Sequence, residues 1–179
     1  MTAPALLKVA RTPTGYCVRV EGRGTMRESR SAAEFVSRAV DADPGTAVVI
    51  DLSACDYLDS TFLGCLVEMQ RRAAKAPAAP GAPAGVTGPR FVVSAPPEKV
   101  KKLLSPTKLD LALKRTAEPP QLSGEWVDLP AADPASPDVM RHVMECHRRL
   151  AELGGPQQAA FAAIADNLER ELHAKQERP

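Results

Sequence analysis

The sequence predicts an α/β protein: a mixed sheet of four or five strands flanked by helices, followed by a C-terminal helical hairpin. Two observations carry the first part. Short β-branched runs alternate with helical periodicities between residues 6 and 117, and Val48-Val49-Ile50 is continuously apolar, as in a central strand covered on both faces. The hairpin rests on a third, two amphipathic stretches joined through Gly154-Gly155-Pro156.

Taken in order, Leu6–Arg11 and Tyr16–Val20 read as strands on either side of Thr12-Pro13-Thr14-Gly15, a hairpin turn. Gly22-Arg23-Gly24-Thr25 reads as a flexible exit loop. Ala33, Phe35, Val36 and Val40 recur at helical spacing from Ser31 to Ala42, and Asp43-Pro44-Gly45 ends that helix. Strand–helix–strand order then implies a right-handed crossover to a parallel Val48–Ile50. A turn over Asp56–Thr61 opens the next helix, whose apolar stripe is Leu63, Leu66, Val67 and Met69, with Glu68, Arg71, Arg72 and Lys75 directed away.

Residues 76–89 are rich in proline, alanine and glycine and read as a surface loop insertion. Phe91–Ser94 is a strand. Pro96-Pro97-Glu98 starts a helix with Val100, Leu103 and Leu104 buried, and Arg115–Ala117 is a short edge strand. We read 1–118 as one domain, 119–136 as a connector pinned by Trp126, and 137–176 as the hairpin. Ser136-Pro137-Asp138 has the N-cap, N1, N2 pattern. Met140, Val143, Met144, His147 and Leu150 line the first hairpin helix; Phe161, Ile164, Ala165, Leu168 and Leu172 line the second. Their remaining apolar edge should cover the domain or form a homodimer with a second copy.

Composition narrows the function. A net charge of +1 without charge blocks gives no case for nucleic acid, and aromatics at 4% are too few for base stacking. No run reaches the roughly 20 apolar residues of a membrane span. The start, MTAPALLKVARTP, lacks a signal peptide's basic and apolar regions, so a cytoplasmic protein is expected. Cys17, Cys55, Cys65 and Cys146 show no CxxC spacing and read as reduced, buried thiols. No phosphate-binding glycine loop and no Ser/His/Asp set stands out, so neither an enzyme nor a cofactor is expected.

Chemistry concentrates in Asp56-Tyr57-Leu58-Asp59-Ser60-Thr61. The plain reading is a helix cap, Asp59 or Ser60 accepting from free N–H groups. The sharper one is a phosphoswitch: a phosphoryl group adds about −1.5 to −2 charges, which a helix N-terminus tolerates. Asp56 and Asp59 are expected to make the local field strongly negative and repel an acidic partner. The metal reading uses His142 and Cys146, four apart on one helix, with His173 as a distant third. Three scattered ligands are a poor set, so no metal is expected.

Asp51-Leu52-Ser53-Ala54-Cys55-Asp56-Tyr57-Leu58-Asp59-Ser60-Thr61-Phe62-Leu63-Gly64 resembles the signature of the STAS family, which includes bacterial anti-sigma factor antagonists. Val20-Glu21-Gly22, Val93–Val100 and Leu103–Asp110 resemble its flanking elements. The resemblance spans about residues 4–118. It implies a cytoplasmic, non-enzymatic transcription regulator that binds an anti-sigma factor acting as a serine-protein kinase, and is released when phosphorylated. The implied phosphoacceptor is Ser60, with Thr61 the alternative, and Asp56, Asp59, Ser60, Thr61, Phe62 and Gly64 form the partner-binding stretch. Phe62 departs from the family's usual glycine and is expected to crowd the partner's approach or offer it an apolar contact. Two alternatives accompany this reading: a never-phosphorylated STAS scaffold in a sensory or lipid-transport complex, and a small metal protein or enzyme using His142, Cys146 and His173.

Overall fold

Val18, Val20, Val48, Ile50 and Val93 are all fully buried, and this β-branched set forms the centre of the sheet. The computed structural model describes residues 6–75 and 90–176; the expected 76–89 loop lies outside them. Strands β1 (Leu6–Thr12) and β2 (Gly15–Gly24) form the expected antiparallel hairpin, with Val9 opposite Val18. β3 (Ala47–Asp51) runs parallel to β2, and β5 (Phe91–Ser94) parallel to β3. The edge strand β6 (Arg115–Thr116) follows β5. The sheet order is β6-β5-β3-β2-β1-β7, where β7 is Val127–Leu129, with β4 (Cys55–Leu58) paired to the far end of β2.

Two of these strands go beyond the sequence reading. β4 (Cys55–Leu58) lies where a turn was expected, and pairs in parallel with Gly22–Gly24 of β2. The expected exit loop at Gly22–Thr25 is therefore largely strand. Gly22 adopts a φ of +70°, and the register shifts there. A residue in the left-handed region bends the strand without ending it, so β2 leaves β3 and picks up β4. β7 (Val127–Leu129) is the other: the connector adds itself antiparallel to β1, with Leu129 opposite Leu7.

Helix α1 (Met26–Ala42) begins five residues before the expected Ser31. Its start is fixed by Glu28, whose carboxylate accepts from the Thr25 N–H at 3.0 Å and the Thr25 hydroxyl at 2.5 Å. Ala32, Val36 and Val40 bury one face. α2 (Ser60–Lys75) lies beside α1, joined at the surface by Arg72 to Asp41 at 2.7 Å. α3 (Pro97–Leu103), a 3-10 turn (Ser105–Thr107) and α4 (Leu109–Ala112) lead from β5 to β6. α5 (Pro137–Glu152) is capped by Ser136, which accepts from the Asp138 N–H, and α6 (Gln158–Gln176) folds back on it. Ala165 is buried against α5, while Ile164 of the expected α6 stripe remains 40% exposed. No described helix is long and apolar enough to cross a membrane.

Trp126 does pin the connector. The Arg19 guanidinium lies 4.2 Å from its ring centroid and donates at 2.8 Å to Asp51, which is fully buried. One cation thus neutralises the carboxylate at the end of β3 and holds the connector on the sheet. Removing it leaves the Asp51 charge uncompensated. Arg19→Ala should lower unfolding free energy by about 2–4 kcal/mol, discounted because Arg19 is itself partly exposed; urea denaturation checks this.

Candidate functional site

The site forms where β4 hands over to α2. Asp59 N donates to Gly24 O at 3.0 Å, and the chain turns into the helix at Ser60. One oxygen of the Asp59 carboxylate accepts from the Phe62 N–H at 2.8 Å and the other from the Met26 N–H at 2.9 Å. A single carboxylate therefore caps α2 and also holds the first residue of α1. Both N-termini favour a negative group there. Burial nevertheless raises the Asp59 pKa above the ordinary carboxylate range, opposed by these N–H donors.

Since Asp59 does the capping, the Ser60 hydroxyl is not needed for it. Ser60 Oγ instead lies 2.9 Å from Nε2 of His147 on α5. His147 Nδ1 lies 2.8 Å from the Val143 carbonyl, which can only accept. The ring proton is accordingly assigned to Nδ1, and Ser60 donates its hydroxyl proton to Nε2. His147 is 4% exposed. The sequence placed it in an apolar stripe without assigning it a role; a histidine in such a stripe was the available signal.

The same face of α2 continues against α5. At Gly64 the helices nearly touch: an added Cβ would lie 2.1 Å from the Cys146 carbonyl oxygen. One turn on, Glu68 pairs with Arg149, and Arg71 with Glu152. Thr61 through Val67 are buried without interruption, because the sheet covers one side of α2 and the hairpin the other.

Several expected site residues are placed differently. Asp56 is exposed but paired with Lys99 of α3 at 2.9 Å, which holds its carboxyl below the ordinary range. With Asp59 accepting from two N–H groups, the field at Ser60 is not that of two free carboxylates. Phe62 is fully buried, its ring seated where Gly24 lacks a side chain, so it neither crowds nor greets a partner. It lies roughly 200° around the helix from Ser60, on the sheet side. Thr61 is 4% exposed, and Gly64 is covered by α5. Asp56, Asp59 and Ser60 keep surface exposure.

The soft ligands also regroup. His142 and Cys146 come together with Cys65 of α2, their ligand atoms all within 4.8 Å, while His173 stands apart and exposed on α6. His142 Nε2 lies 2.9 Å from Ser29 Oγ, and the Cys65 thiol donates to Ser29 O at 3.4 Å. The ligand types suit a zinc-class ion. Binding would require thiolates, yet a hydrogen bond with Cys65 and burial push the Cys146 thiol well above its ordinary range. The Ser60–His147 pair has the polarity of a nucleophile and its base. However, a surface cleft of about 400 Å³ between Leu111 and Phe161 is lined by neither residue.

This strand–acidic cap–hydroxyl–helix arrangement falls within residues 7–79, which match the family model described as Mlab, STAS domain. Over that stretch the chain is similar to STAS domains. A crystal structure of an anti-sigma factor antagonist from Mycobacterium paratuberculosis shares the fold, with a TM-score of 0.50 at 23% identity. The match covers 92% of that chain and 66% of this one. No curated protein matches the sequence.

The division of labour at the start of α2 is testable. Asp59→Ala should cost about 2–3 kcal/mol, a lost cap plus an unsatisfied Met26 N–H, and Ser60→Ala below about 1 kcal/mol; the reverse order in urea melts would make Ser60 the cap. Carboxyl NMR titration should find Asp59 above and Asp56 below ordinary aspartate. With its folded pKa raised, Asp59 contributes stability below the unfolded pKa that is lost as pH rises through the folded one. Asp56, with a depressed pKa, contributes stability above the unfolded pKa that is lost as pH falls through the folded one.

Proposed function

We propose that this chain is a cytoplasmic, non-enzymatic anti-sigma factor antagonist whose STAS domain binds an anti-sigma factor with serine-kinase activity when Ser60 is unmodified. The observation that carries the reading is the Ser60 hydroxyl itself. It sits on the first residue of α2, relieved of capping by Asp59. Phosphorylation there would put about −1.5 to −2 charges at a helix N-terminus, which stabilises anions, so the fold would persist while the surface changes. The structural neighbour from Mycobacterium paratuberculosis supports the same class. Thr61 is the weaker acceptor, being buried.

A second reading is a STAS scaffold subunit of a sensory or lipid-transport complex that is never phosphorylated. The observation favouring it is the α5 helix lying over Ser60.

Capture from native extract, with mass spectrometry of the partners and of the Ser60 peptide, separates the two. The antagonist reading expects a kinase-type anti-sigma factor and a fraction of phosphorylated Ser60. Ser60→Ala should retain the partner and Ser60→Asp should bind it at least tenfold more weakly; equal affinities would sink the switch.

A further inference from the structure

We infer that the α5–α6 hairpin is a displaceable intramolecular cover over the partner face of the STAS domain. The inference rests on the proposed role of that face, but its test does not require it. α5 follows α2 residue by residue: His147 on Ser60, the Cys146 backbone on Gly64, Arg149 on Glu68, Glu152 on Arg71. The acceptor hydroxyl is thus occupied, and a partner helix could reach Gly64 only by taking the place of α5.

The attachment of the hairpin suits release as a unit. Its two helices are held to each other by Arg148 to Glu169 at 2.6 Å, and by the His147 and Phe161 rings with centroids 6.0 Å apart. α6 rests mainly on α5, with Phe161 reaching the core, and α5 carries the hairpin's main contacts with α2 and α1. The connector is anchored separately: β7 pairs with β1, Trp126 stacks on Arg19, and the Pro130 and Ala132 carbonyls accept from Ser31 and Arg27. Residues 133–136 then lead directly into α5, so the hairpin can swing away without unpairing the sheet.

The seam joins Cys65, Cys146 and Leu150, which belong to the hydrophobic core, and buried His142 to groups that water can satisfy after opening, namely Ser60, His147, Glu68, Arg71 and Arg149. Exposed ion pairs such as these contribute only about 0–1 kcal/mol each. Polar interfaces within a chain favour relative motion of the parts they join.

The native thiols report on this opening. Cys65 and Cys146 lie in the seam, whereas Cys17 is within β2 and Cys55 within β4; all four are free and buried. In the full-length wild type under native conditions, labelling with Ellman's reagent followed by peptide mass spectrometry should modify Cys65 and Cys146 at least tenfold faster than Cys17 and Cys55. The double variant His147→Ala, Arg149→Glu should accelerate the seam pair a further fivefold or more and leave the sheet pair unchanged. One common rate for all four wild-type thiols would mean that the hairpin leaves only on global unfolding, and would overturn the inference even if the double variant fails to fold. Because no partner is needed, an absent kinase would defeat the proposed function and leave this result standing.

Discussion

One carboxylate sets the geometry on which the candidate site depends. Asp59 accepts from the Phe62 N–H with one oxygen and from the Met26 N–H with the other, so α1 and α2 begin at a fixed distance from each other and from β4. Each helix start offers unpaired donors and a partial positive charge, and a shared anion satisfies both. The cost is burial of that anion, seen in its raised pKa. The gain is that the next residue, Ser60, enters the helix with its hydroxyl uncommitted to the backbone.

The surroundings divide α2 into two chemically different faces. Toward the sheet, Phe62, Leu66 and Met69 are buried, with Gly24 making room for the aromatic ring. Toward α5 the buried Cys65 is joined by a hydroxyl, a glycine and two charges. The first face is the kind that holds a fold together, since burying a large apolar side chain contributes about 1.5–3 kcal/mol. The second is the kind that can exchange one partner for another, because its polar groups lose little when water replaces the helix.

Much of the framework was legible in the residues. The β-branched runs marked β1, β2, β3 and β5, Ser136-Pro137-Asp138 marked the start of α5, and Asp51–Gly64 marked the site. β4 escaped because Asp56 and Tyr57 interrupt its four residues, which read as a turn, and because its pairing depends on a bend at Gly22 that strand propensity does not reveal. Phe62 was assigned to the surface by analogy with a glycine, although Phe62-Leu63-Gly64-Cys65-Leu66-Val67 is apolar all round a helix. Such a pattern marks burial on every side. Docking of the hairpin on the domain was one of two expectations, but its register on α2 was not legible: at Gly64 it is made by backbone against backbone, and at Glu68–Arg149 by charged residues that periodicity counts as solvent-facing.

The close approach at Gly64 also limits what can stand in for α5. Any side chain at that position would meet the Cys146 carbonyl, so the groove accepts a helix only at backbone distance. A segment replacing α5 at the same distance would present its own narrow point there, with a hydrogen-bond acceptor one turn away for Ser60 and a cation toward Glu68. These are demands of shape and charge rather than of apolar area, and they select among helices that hydrophobicity alone would admit equally. A phosphoryl group on Ser60 would fill the space now taken by His147 and bring negative charge to the same end of the groove. Modification and displacement would then act on a single contact, the one hydroxyl that Asp59 leaves free.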